Sequence, residues 1–441
     1  MSLQDKWGHL VKIQALLKRN IYRILSRQFA LYIVKDLKMH PWYPDSWRNY
    51  LYEQAPAYAN KQRLESVLLQ LSHLPPLVLP QEIEQLKNNL SKAAQGNLFI
   101  LQGGDCAESF DNCQESVIGN QLKTLMQMRV ILSQTIKKPI ICIGRIAGQY
   151  AKPRSSATQT VNGLTLKSYR GELINQALFS KKAREPNPDL MLKGYYHAAA
   201  TLNFIRAHLQ VTDYNTGAFY TSHDALHLPY EQALTRLSPN KTYYNLSTHL
   251  PWIGMRNAFK NSAHVEYMRG IQNPIGIKIG PDLPPHELLA LLHELNPDNV
   301  AGRILLITRL GHQQITRSLP PLIKAVQQAR RAVTWSCDPM HGNTYITHQG
   351  IKTRDFDVLC AELKEALRIH HMFSSHLGGV HFELTGEKVT ECIGGPAKLN
   401  ETHLSAAYHS LVDPRLNDVQ ALAMAQELAA AYAAETLEAV T

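Results

Sequence analysis

Short apolar runs recur along the chain from residue 98 onward, and each is followed by a polar break and a stretch with helical periodicity. Apolar runs separated by helices are typical of strands buried on both faces of a parallel sheet. Eight runs fit this description, at residues 98–104, 139–145, 217–223, 242–248, 274–280, 303–309, 332–338 and 379–385. Eight strand–helix units predict an α/β fold, a (β/α)8 TIM barrel, with an open doubly wound sheet as the alternative.

Polar residues stand at or just beyond the C-terminal ends of seven of these runs. They are Cys106, Arg145, His223, Lys278, Arg309, Asp338 and Glu383. In a closed barrel the C-terminal strand ends meet on one face, which carries the active site, whereas in an open sheet they spread along an edge. The pattern therefore favours the barrel and predicts a polar site on its C-terminal face.

The first forty residues differ from the rest of the chain in charge. Residues 1–40 contain eight lysines and arginines against two acidic residues, which is more than half of the formal net charge of +10. Apolar positions over residues 5–38 recur near helical spacing and predict one or two amphipathic helices. We therefore expect a basic helical extension over residues 1–40, a helical segment over 41–97 that packs on the barrel, and the catalytic barrel over 98–441.

The composition is that of a soluble globular protein. Hydrophobic residues make up 44% and charged residues 19% of the chain, and no run approaches the length of a membrane span. Six scattered cysteines without a CxxC pair argue against a disulfide framework and against a four-cysteine zinc module. The N-terminus lacks the pattern of a secretory signal. We therefore expect a cytoplasmic protein with no membrane span.

Four residues that are far apart in the sequence form a candidate metal site if the barrel closes. They are Cys106, His341, Glu383 and Asp413. A thiolate, an imidazole and two carboxylates suit manganese, iron, cobalt or zinc better than magnesium or calcium. Taken singly, each residue has a simpler interpretation as a buried thiol, a turn residue or a solvated strand end.

A second group of residues is cationic. Its members are Arg145, Lys152, Arg154, Arg256, Lys278 and Arg309. Arginine forks bind phosphate and carboxylate oxygens, so this many cations on one barrel face indicate a substrate with several negative charges. Ion pairing with Glu108, Asp338 and Glu387 is the alternative. The chain lacks a P-loop, a dinucleotide fingerprint, a GxSxG elbow and an HExxH motif, which argues against the corresponding enzyme classes.

Several long motifs closely resemble the type II 3-deoxy-D-arabino-heptulosonate 7-phosphate (DAHP) synthases, in their short form. They are "LQGGDCAESF" (101–110), "GRIAGQYAKPRS" (144–155), "NPIGIKIGP" (273–281), "CDPMHGNT" (337–344), "GIKTR" (350–354), "HFELTGEKVTECIGG" (381–395) and "DPRLN" (413–417). The resemblance runs from about Trp42 to Asn417. It implies a metal-dependent barrel transferase that condenses phosphoenolpyruvate with erythrose 4-phosphate and releases phosphate, in the first step of the shikimate pathway of aromatic biosynthesis.

The resemblance also implies roles for individual residues. It makes Cys106, His341, Glu383 and Asp413 the ligands of one divalent metal ion, foremost Mn²⁺, with Co²⁺, Fe²⁺ or Zn²⁺ as alternatives. It assigns phosphoenolpyruvate to Arg145, Met255, Arg256, Lys278 and Arg309, and erythrose 4-phosphate to Lys152, Arg154, Ser155 and Lys352. For proton transfer we expect Lys152 and Lys278. We further expect the protein to form a homo-oligomer and to have no nucleic-acid partner.

Two departures from the family pattern stand out. The family usually reads "WIGER" where this chain reads "WIGMR", so Met255 replaces a glutamate. The segment before "ALHLPYEQAL" is short, which resembles forms that lack a tryptophan-responsive helical pair and implies weak or no inhibition by tryptophan. Two other functions stay open: another metal-dependent barrel aldolase or lyase acting on phosphorylated sugars, and a non-catalytic anion-binding protein that uses the basic N-terminus.

Overall fold

Eight parallel strands form the centre of the molecule. The computed structural model describes residues 41–211 and 218–438, so the helices expected over residues 5–38 lie outside the described residues. The strands are β1 Phe99–Gly104, β2 Ile140–Arg145, β3 Phe219–Asp224, β4 Leu250–Ile253, β5 Ile275–Ile279, β6 Ile304–Thr308, β7 Thr334–Cys337 and β8 Leu377–Glu383. Each strand pairs with the next along the chain, and β8 pairs with β1 to close the barrel. This closure confirms the TIM barrel and excludes the open sheet.

Each barrel strand is followed by at least one helix. The helices are α1 Lys61–His73, α2 Pro80–Ala94, α3 Glu115–Ile136, α4 Lys181–Arg184, α5 Asp189–Val211, α6 Leu228–Ala233, α7 Ala263–Gly270, α8 Pro285–Leu295, α9 His312–Gln328, α10 Phe356–Met372 and α11 Asp418–Glu438. Helices α1 and α2 precede β1, and α4 is a short turn before α5. Among the described helices, none is both long and apolar enough to cross a membrane.

Short elements decorate the connections between strands and helices. Three antiparallel hairpins pair Thr158–Val161 with Leu164–Lys167, Thr235–Leu237 with Tyr243–Asn245, and Tyr345–Ile346 with Lys352–Thr353. Single 3₁₀ turns occupy Ser46–Asn49, Phe110–Asn112, Met255–Asn257 and Glu401–Ala406.

The fourth barrel strand lies elsewhere than the sequence predicts. The predicted run at residues 242–248 contains the hairpin strand Tyr243–Asn245, whereas the barrel strand is Leu250–Ile253. The true strand includes Pro251, which cannot donate a ladder hydrogen bond and therefore argues against a central strand. Tyrosines in the preceding segment have high strand propensity, which made that segment the better match.

Helix α2 packs across the N-terminal end of the barrel. Its buried residues Leu86, Leu90 and Ala93 share one apolar cluster with inward-facing side chains such as Ile100 and Leu305. Layers of branched side chains from several strands fill the interior of such barrels, so this cluster forms a solid core rather than a pore. The polar site is therefore confined to the opposite, C-terminal end.

The strand register brings three site positions level with one another. Gly104, the last residue of β1, pairs with Glu383 on β8 and with Arg145 on β2. The acidic and basic side chains on either side of Gly104 therefore emerge at the same height on the C-terminal face.

Candidate metal centre and anion-binding cavity

The C-terminal face holds a cavity of about 370 Å³, a size that suits small metabolites. All sequence-predicted site residues line it except Cys106 and Glu383. The lining members are Arg145, Lys152, Arg154, Ser155, Met255, Arg256, Lys278, Arg309, His341, Lys352 and Asp413. The two exceptions contact lining residues, because Lys152 Nζ lies 2.9 Å from Cys106 Sγ and 3.1 Å from Glu383 Oε1.

Three of the four expected metal ligands converge at one corner of this cavity. The sulfur of Cys106 and one carboxylate oxygen from each of Glu383 and Asp413 lie within 4.8 Å of one another. His341 lies outside this group of three, but its Nε2 is 2.9 Å from Oε1 of Glu383. The four side chains come from the ends of β1, β7 and β8 and from the loop after β8.

Lys152 contacts all three members of this corner. Its ammonium lies 2.8 Å from Oδ2 of Asp413, in addition to its contacts with Cys106 and Glu383. Burial opposes its charge, but Asp413, Cys106 and Glu383 outweigh that effect and raise the pKa of Lys152. Burial and the charge of Glu383 in turn raise the pKa of the Cys106 thiol.

The backbone turns sharply where the chain leaves β1 toward Cys106. Gly104 has a φ of +145°, and a Cβ there would lie 2.7 Å from the carbonyl oxygen of Arg145, so glycine is required. Beyond the turn, the Arg145 guanidinium donates from Nε to the carbonyl of Asp105 (2.9 Å) and from NH2 to that of Cys106 (3.3 Å). These bonds fix the cysteine backbone against β2.

Glu383 is the most heavily paired acid of the site. Arg145 NH2 lies 2.9 Å from its Oε1, and Arg354 NH2 lies 2.8 Å from its Oε2. Burial opposes its ionisation, but His341, Lys152, Arg354 and Arg145 hold the pKa of Glu383 well below its usual range. The carboxylate is therefore ionised at neutral pH.

Asp338 orients His341. Its Oδ2 lies 2.7 Å from Nδ1 of the imidazole and 3.0 Å from the ammonium of Lys278. We assign the Nδ1 proton to this bond because an ionised carboxylate can only accept. Burial lowers the pKa of His341, and Nε2 of the ring faces Glu383.

Arg145 and Lys278 form the inner part of the cationic wall. Each contacts the indole of Trp252, with Arg145 Cζ 5.2 Å and Lys278 Nζ 5.4 Å from the ring centroid. Arg145 also donates to Nε2 of His381, at 2.5 Å. Burial, only partly offset by Asp338, lowers the pKa of Lys278 to about 8. These cations face the cavity from β2 and β5.

The outer part of the wall contains Met255, Arg256 and Arg309. The thioether of Met255 lies 2.7 Å from NH1 of Arg309, and NH2 of that arginine donates to the carbonyl of His341 at 2.5 Å. Met255 therefore points toward Arg309 rather than toward its neighbour Arg256, which is exposed. Among the described residues, no carboxylate lies within ion-pairing distance of Arg309.

The residues expected to hold erythrose 4-phosphate border the same cavity on another side. Gln54 pins the loop after β2, donating to the carbonyl of Arg154 (3.1 Å) and accepting from its amide (2.9 Å). Ser155 next to it is exposed. Lys352, on the hairpin after β7, reaches Oδ1 of Asp413 at 2.9 Å. The structure thus brings this second group next to the corner of the cavity where Cys106, Glu383 and Asp413 converge.

Sequence reasoning assigned no role to two buried side chains of the site, Asp224 and Gln149, and offered a third, Glu108, only as an ion-pair partner. Asp224, the last residue of β3, lines the cavity, and burial raises its pKa to about 6. Gln149 donates to the carbonyl of Cys106 at 3.2 Å and accepts from the amide of Asp224 at 2.8 Å. Glu108 accepts from the amides of Ala147, Gly148 and Gln149 and pairs with no cation among the described residues. Only Asp224 has a sequence signal, as the acid after His223 at a strand end.

The donor set fits a divalent cation. Nε2 of His341 lies 2.9 Å from Oε1 of Glu383, so one divalent cation can contact both atoms. The second ring nitrogen of His341 donates to a carboxylate, which is the usual support of a metal-bound histidine. Thiolate, imidazole and carboxylate together match a first-row transition ion.

Comparisons with known proteins agree with this geometry. The profile of the Class-II DAHP synthetase family matches residues 42–216 and 209–429. A phospho-2-dehydro-3-deoxyheptonate aldolase from Neurospora crassa is 42% identical, covering 90% of this chain and 95% of the relative. The protein of that name from Streptomyces coelicolor is 38% identical over 90% and 99%. Phospho-2-dehydro-3-deoxyheptonate aldolase AroG from Mycolicibacterium smegmatis is 39% identical over 80% and 87%. This chain belongs to the Class-II DAHP synthetase family.

Proposed function

We propose that this protein is a metal-dependent DAHP synthase that joins phosphoenolpyruvate to erythrose 4-phosphate. The observation that carries the proposal is the convergence of Cys106, Glu383 and Asp413 beside a cationic wall in one cavity. The two substrates carry two phosphates and one carboxylate, which explains the several cations. A cationic wall alone would suit an anion-binding protein equally well, so the neighbouring group of potential metal ligands decides between the two functions. The combination, in a chain of this family, favours the condensation.

Phosphoenolpyruvate binds against the wall formed by Arg145, Arg256, Lys278 and Arg309, with the backbone at Met255 beside it. Arg145 and Lys278 lie on rigid strands, and the indole of Trp252 packs against both of them. Strand-borne cations keep their geometry without rearranging when charge develops, which is the main source of electrostatic catalysis. Among the described residues, the guanidinium of Arg309 donates only to a thioether and a carbonyl, so its charge is available to the substrate.

Erythrose 4-phosphate occupies the side lined by Lys152, Arg154, Ser155 and Lys352. In this proposal Cys106, His341, Glu383 and Asp413 hold one divalent ion, foremost Mn²⁺, with Co²⁺, Fe²⁺ or Zn²⁺ as alternatives of similar softness. When bound, the ion supplies Lewis-acid polarisation of the aldehyde oxygen. The protein then places the aldehyde carbon against C3 of phosphoenolpyruvate, and positioning contributes much of the rate.

The condensation forms a bond between C3 of phosphoenolpyruvate and the aldehyde carbon. Lys152, whose pKa its acidic neighbours raise, donates a proton to the new hydroxyl oxygen. Water adds to C2, and inorganic phosphate leaves by cleavage of the C2–O bond. Because the pKa of Lys278 is lowered to about 8, part of the population carries a neutral amine near neutral pH, and in that form Lys278 accepts one proton of the water. The other proton leaves with the phosphate as C2 becomes the carbonyl carbon of the product.

The test is an assay of phosphate release with purified protein after chelation and metal re-addition. We expect release only when both substrates and a divalent ion are present, and we expect Cys106→Ser to lose turnover. Cys360→Ser is the matched control, because Cys360 is a buried thiol on α10 that contacts Met424 instead of the cavity. Metal-independent turnover, or full activity of Cys106→Ser, would contradict the proposal. Release with one substrate alone would favour another barrel lyase.

We also expect a homo-oligomer, which light scattering on the purified protein measures directly.

A further inference from the structure

A buried arginine joins the two segments that carry Cys106 and Asp413. Arg415 lies two residues after Asp413, and its NH1 is 2.6 Å from Oδ1 of Asp105, the residue before Cys106. Asp105 and Arg415 are 310 positions apart in the chain. This contact is therefore a direct bridge between the start and the end of the proposed metal centre.

The same guanidinium is held by a second acid. Its NH2 lies 2.8 Å from Oε1 of Glu391, and its Nε lies 3.0 Å from Oε2. This two-pronged pairing uses the fixed plane of the guanidinium, which a lysine cannot reproduce. The guanidinium of Arg415 thus binds Glu391 through Nε and NH2 and Asp105 through NH1, and these contacts together fix its orientation.

Glu391 also fixes the backbone around Asp413. It accepts from the amides of Ser410 (2.8 Å) and Arg415 (2.7 Å), while the Ser410 hydroxyl donates to the carbonyl of Asp413 at 2.6 Å. The loop that presents the Asp413 carboxylate is therefore tied to the same acid that orients Arg415.

These three side chains are almost completely buried, with side-chain exposures of 5%, 6% and 0% for Asp105, Arg415 and Glu391. A buried ion cluster contributes little net stability because desolvation offsets the attraction between the charges. None of the three lines the cavity, so they do not serve as substrate contacts. What the cluster does provide is a fixed separation between Cys106 and Asp413.

We propose that Arg415, bound to Asp105 and Glu391, is a positioning residue that sets the spacing of Cys106 and Asp413 and thereby the affinity of the centre for its divalent ion. This inference rests on the proposed metal site. It goes beyond the proposed reaction, because Arg415, Asp105 and Glu391 lie outside the cavity and act on the metal ligands only by holding two chain segments together. Supporting residues of this kind typically change metal affinity by about 10-fold to 100-fold when they are altered.

The experiment is a titration of chelated, full-length protein with Co²⁺, followed through the thiolate-to-cobalt charge-transfer absorption. That band reports ligation by Cys106 without any turnover. We expect Arg415→Lys to weaken Co²⁺ binding by about 10-fold or more, because lysine keeps the charge but cannot bridge both acids. Asp105→Asn, which is nearly isosteric, provides a milder variant, and we expect a smaller loss in the same direction.

Arg303→Lys is the matched structural control. Arg303 is buried beside the start of β6 and donates to the carbonyls of Met268 and Leu295 instead of to acids. We expect it to lower the melting temperature as Arg415→Lys does, but to leave the Co²⁺ affinity unchanged. An equal loss of affinity in this control would show a general effect of destabilisation and would overturn the positioning role.

The outcomes separate this inference from the proposed function. If the wild-type protein gives no thiolate band, the metal site itself is wrong and the positioning role falls with it. If the wild type gives the band and Asp105→Asn and Arg415→Lys bind Co²⁺ as tightly as wild type, only the positioning role is overturned.

Discussion

The ammonium of Lys152 lies 2.9 Å from the sulfur of Cys106. The same ammonium contacts a carboxylate oxygen of Glu383 and one of Asp413, so one lysine touches three of the four expected metal ligands. A divalent ion held by these residues would therefore compete with the ammonium of Lys152 for the same ligand atoms. In the proposed function, Lys152 therefore lies where the metal ligands meet the erythrose 4-phosphate side.

Replacing Lys152 by methionine should separate metal binding from chemistry. We expect Lys152→Met to bind Co²⁺ at least as tightly as wild type, because a competing cation is removed. The condensation rate should fall by about 100-fold or more, as is typical for loss of a proton donor. Cobalt titration and steady-state assays on the same sample measure the two effects. Loss of the cobalt band together with activity would show that Lys152 instead supports the ligands.

Asp224 should make the binding of phosphoenolpyruvate depend on pH. Its pKa is raised to about 6 by burial, so it is ionised at neutral pH and takes up a proton as the pH falls through about 6. The ionised form repels an anionic substrate. We expect Asp224→Asn to bind phosphoenolpyruvate about fivefold more tightly than wild type at neutral pH, a difference of about 1 kcal/mol. Calorimetry without erythrose 4-phosphate should show the two affinities converging below about pH 6; a constant difference would contradict the assignment.

Met255 should affect substrate binding through Arg309. The residue is 39% exposed, and its sulfur contacts the guanidinium of Arg309. A carboxylate at this position would pair with Arg309 and compete with the substrate. We expect Met255→Glu to raise the KM for phosphoenolpyruvate by up to about fivefold with little change in kcat, since exposed ion pairs contribute about 0–1 kcal/mol. Met255→Gln, which adds no charge, should behave as wild type. A fall in kcat for both variants would indicate a role of the thioether itself.

His227 should make the fold sensitive to acid. Its ring nitrogens contact the hydroxyl of Tyr58 (2.7 Å) and the amide of Tyr230 (3.1 Å), and burial lowers its pKa to about 4. In the unfolded chain the imidazole of His227 takes up a proton near pH 6.5, whereas in the folded protein it stays neutral down to about pH 4. The free energy of unfolding therefore falls as the pH drops from about 6.5 toward 4, by up to about 1.4 kcal/mol per pH unit for this histidine.

Urea unfolding at several pH values measures this dependence. His227→Asn keeps an acceptor for the amide of Tyr230 but cannot titrate in this range. We expect its stability to decrease less steeply with acid than that of the wild type, and equal slopes would mean that other groups cause the loss.

Local patterns in the sequence predicted most of the barrel. The first run, residues 98–104, coincides closely with β1 at Phe99–Gly104, because buried parallel strands are continuously apolar. The prediction of β4 was wrong because Pro251 argues against a central strand, while the tyrosines of the preceding hairpin strand have high strand propensity. Glu108 was offered as an ion-pair partner but instead accepts from three backbone amides, a role that depends on the turn after β2.

Long-range polar contacts were beyond the reach of the sequence. Periodicity locates a residue on an element, but it does not say which side chain meets another hundreds of positions away. The "DPRLN" motif contains Arg415, yet nothing in its spacing indicates Asp105 as a partner. The direction of Met255 likewise depends on Gly280, where a Cβ would overlap the sulfur of Met255.

The separation of Cys106 and Asp413 by 307 residues has a consequence for synthesis of the chain. At about 5–20 residues per second, a ribosome adds Asp413 on the order of 15–60 s after Cys106. Throughout that interval the growing chain contains Cys106 but not yet Asp413. If Cys106 and Asp413 hold the metal as proposed, the complete site therefore forms late in the synthesis of each molecule. A product truncated before residue 413 lacks Asp413, so under the same proposal metal uptake distinguishes finished chains from unfinished ones.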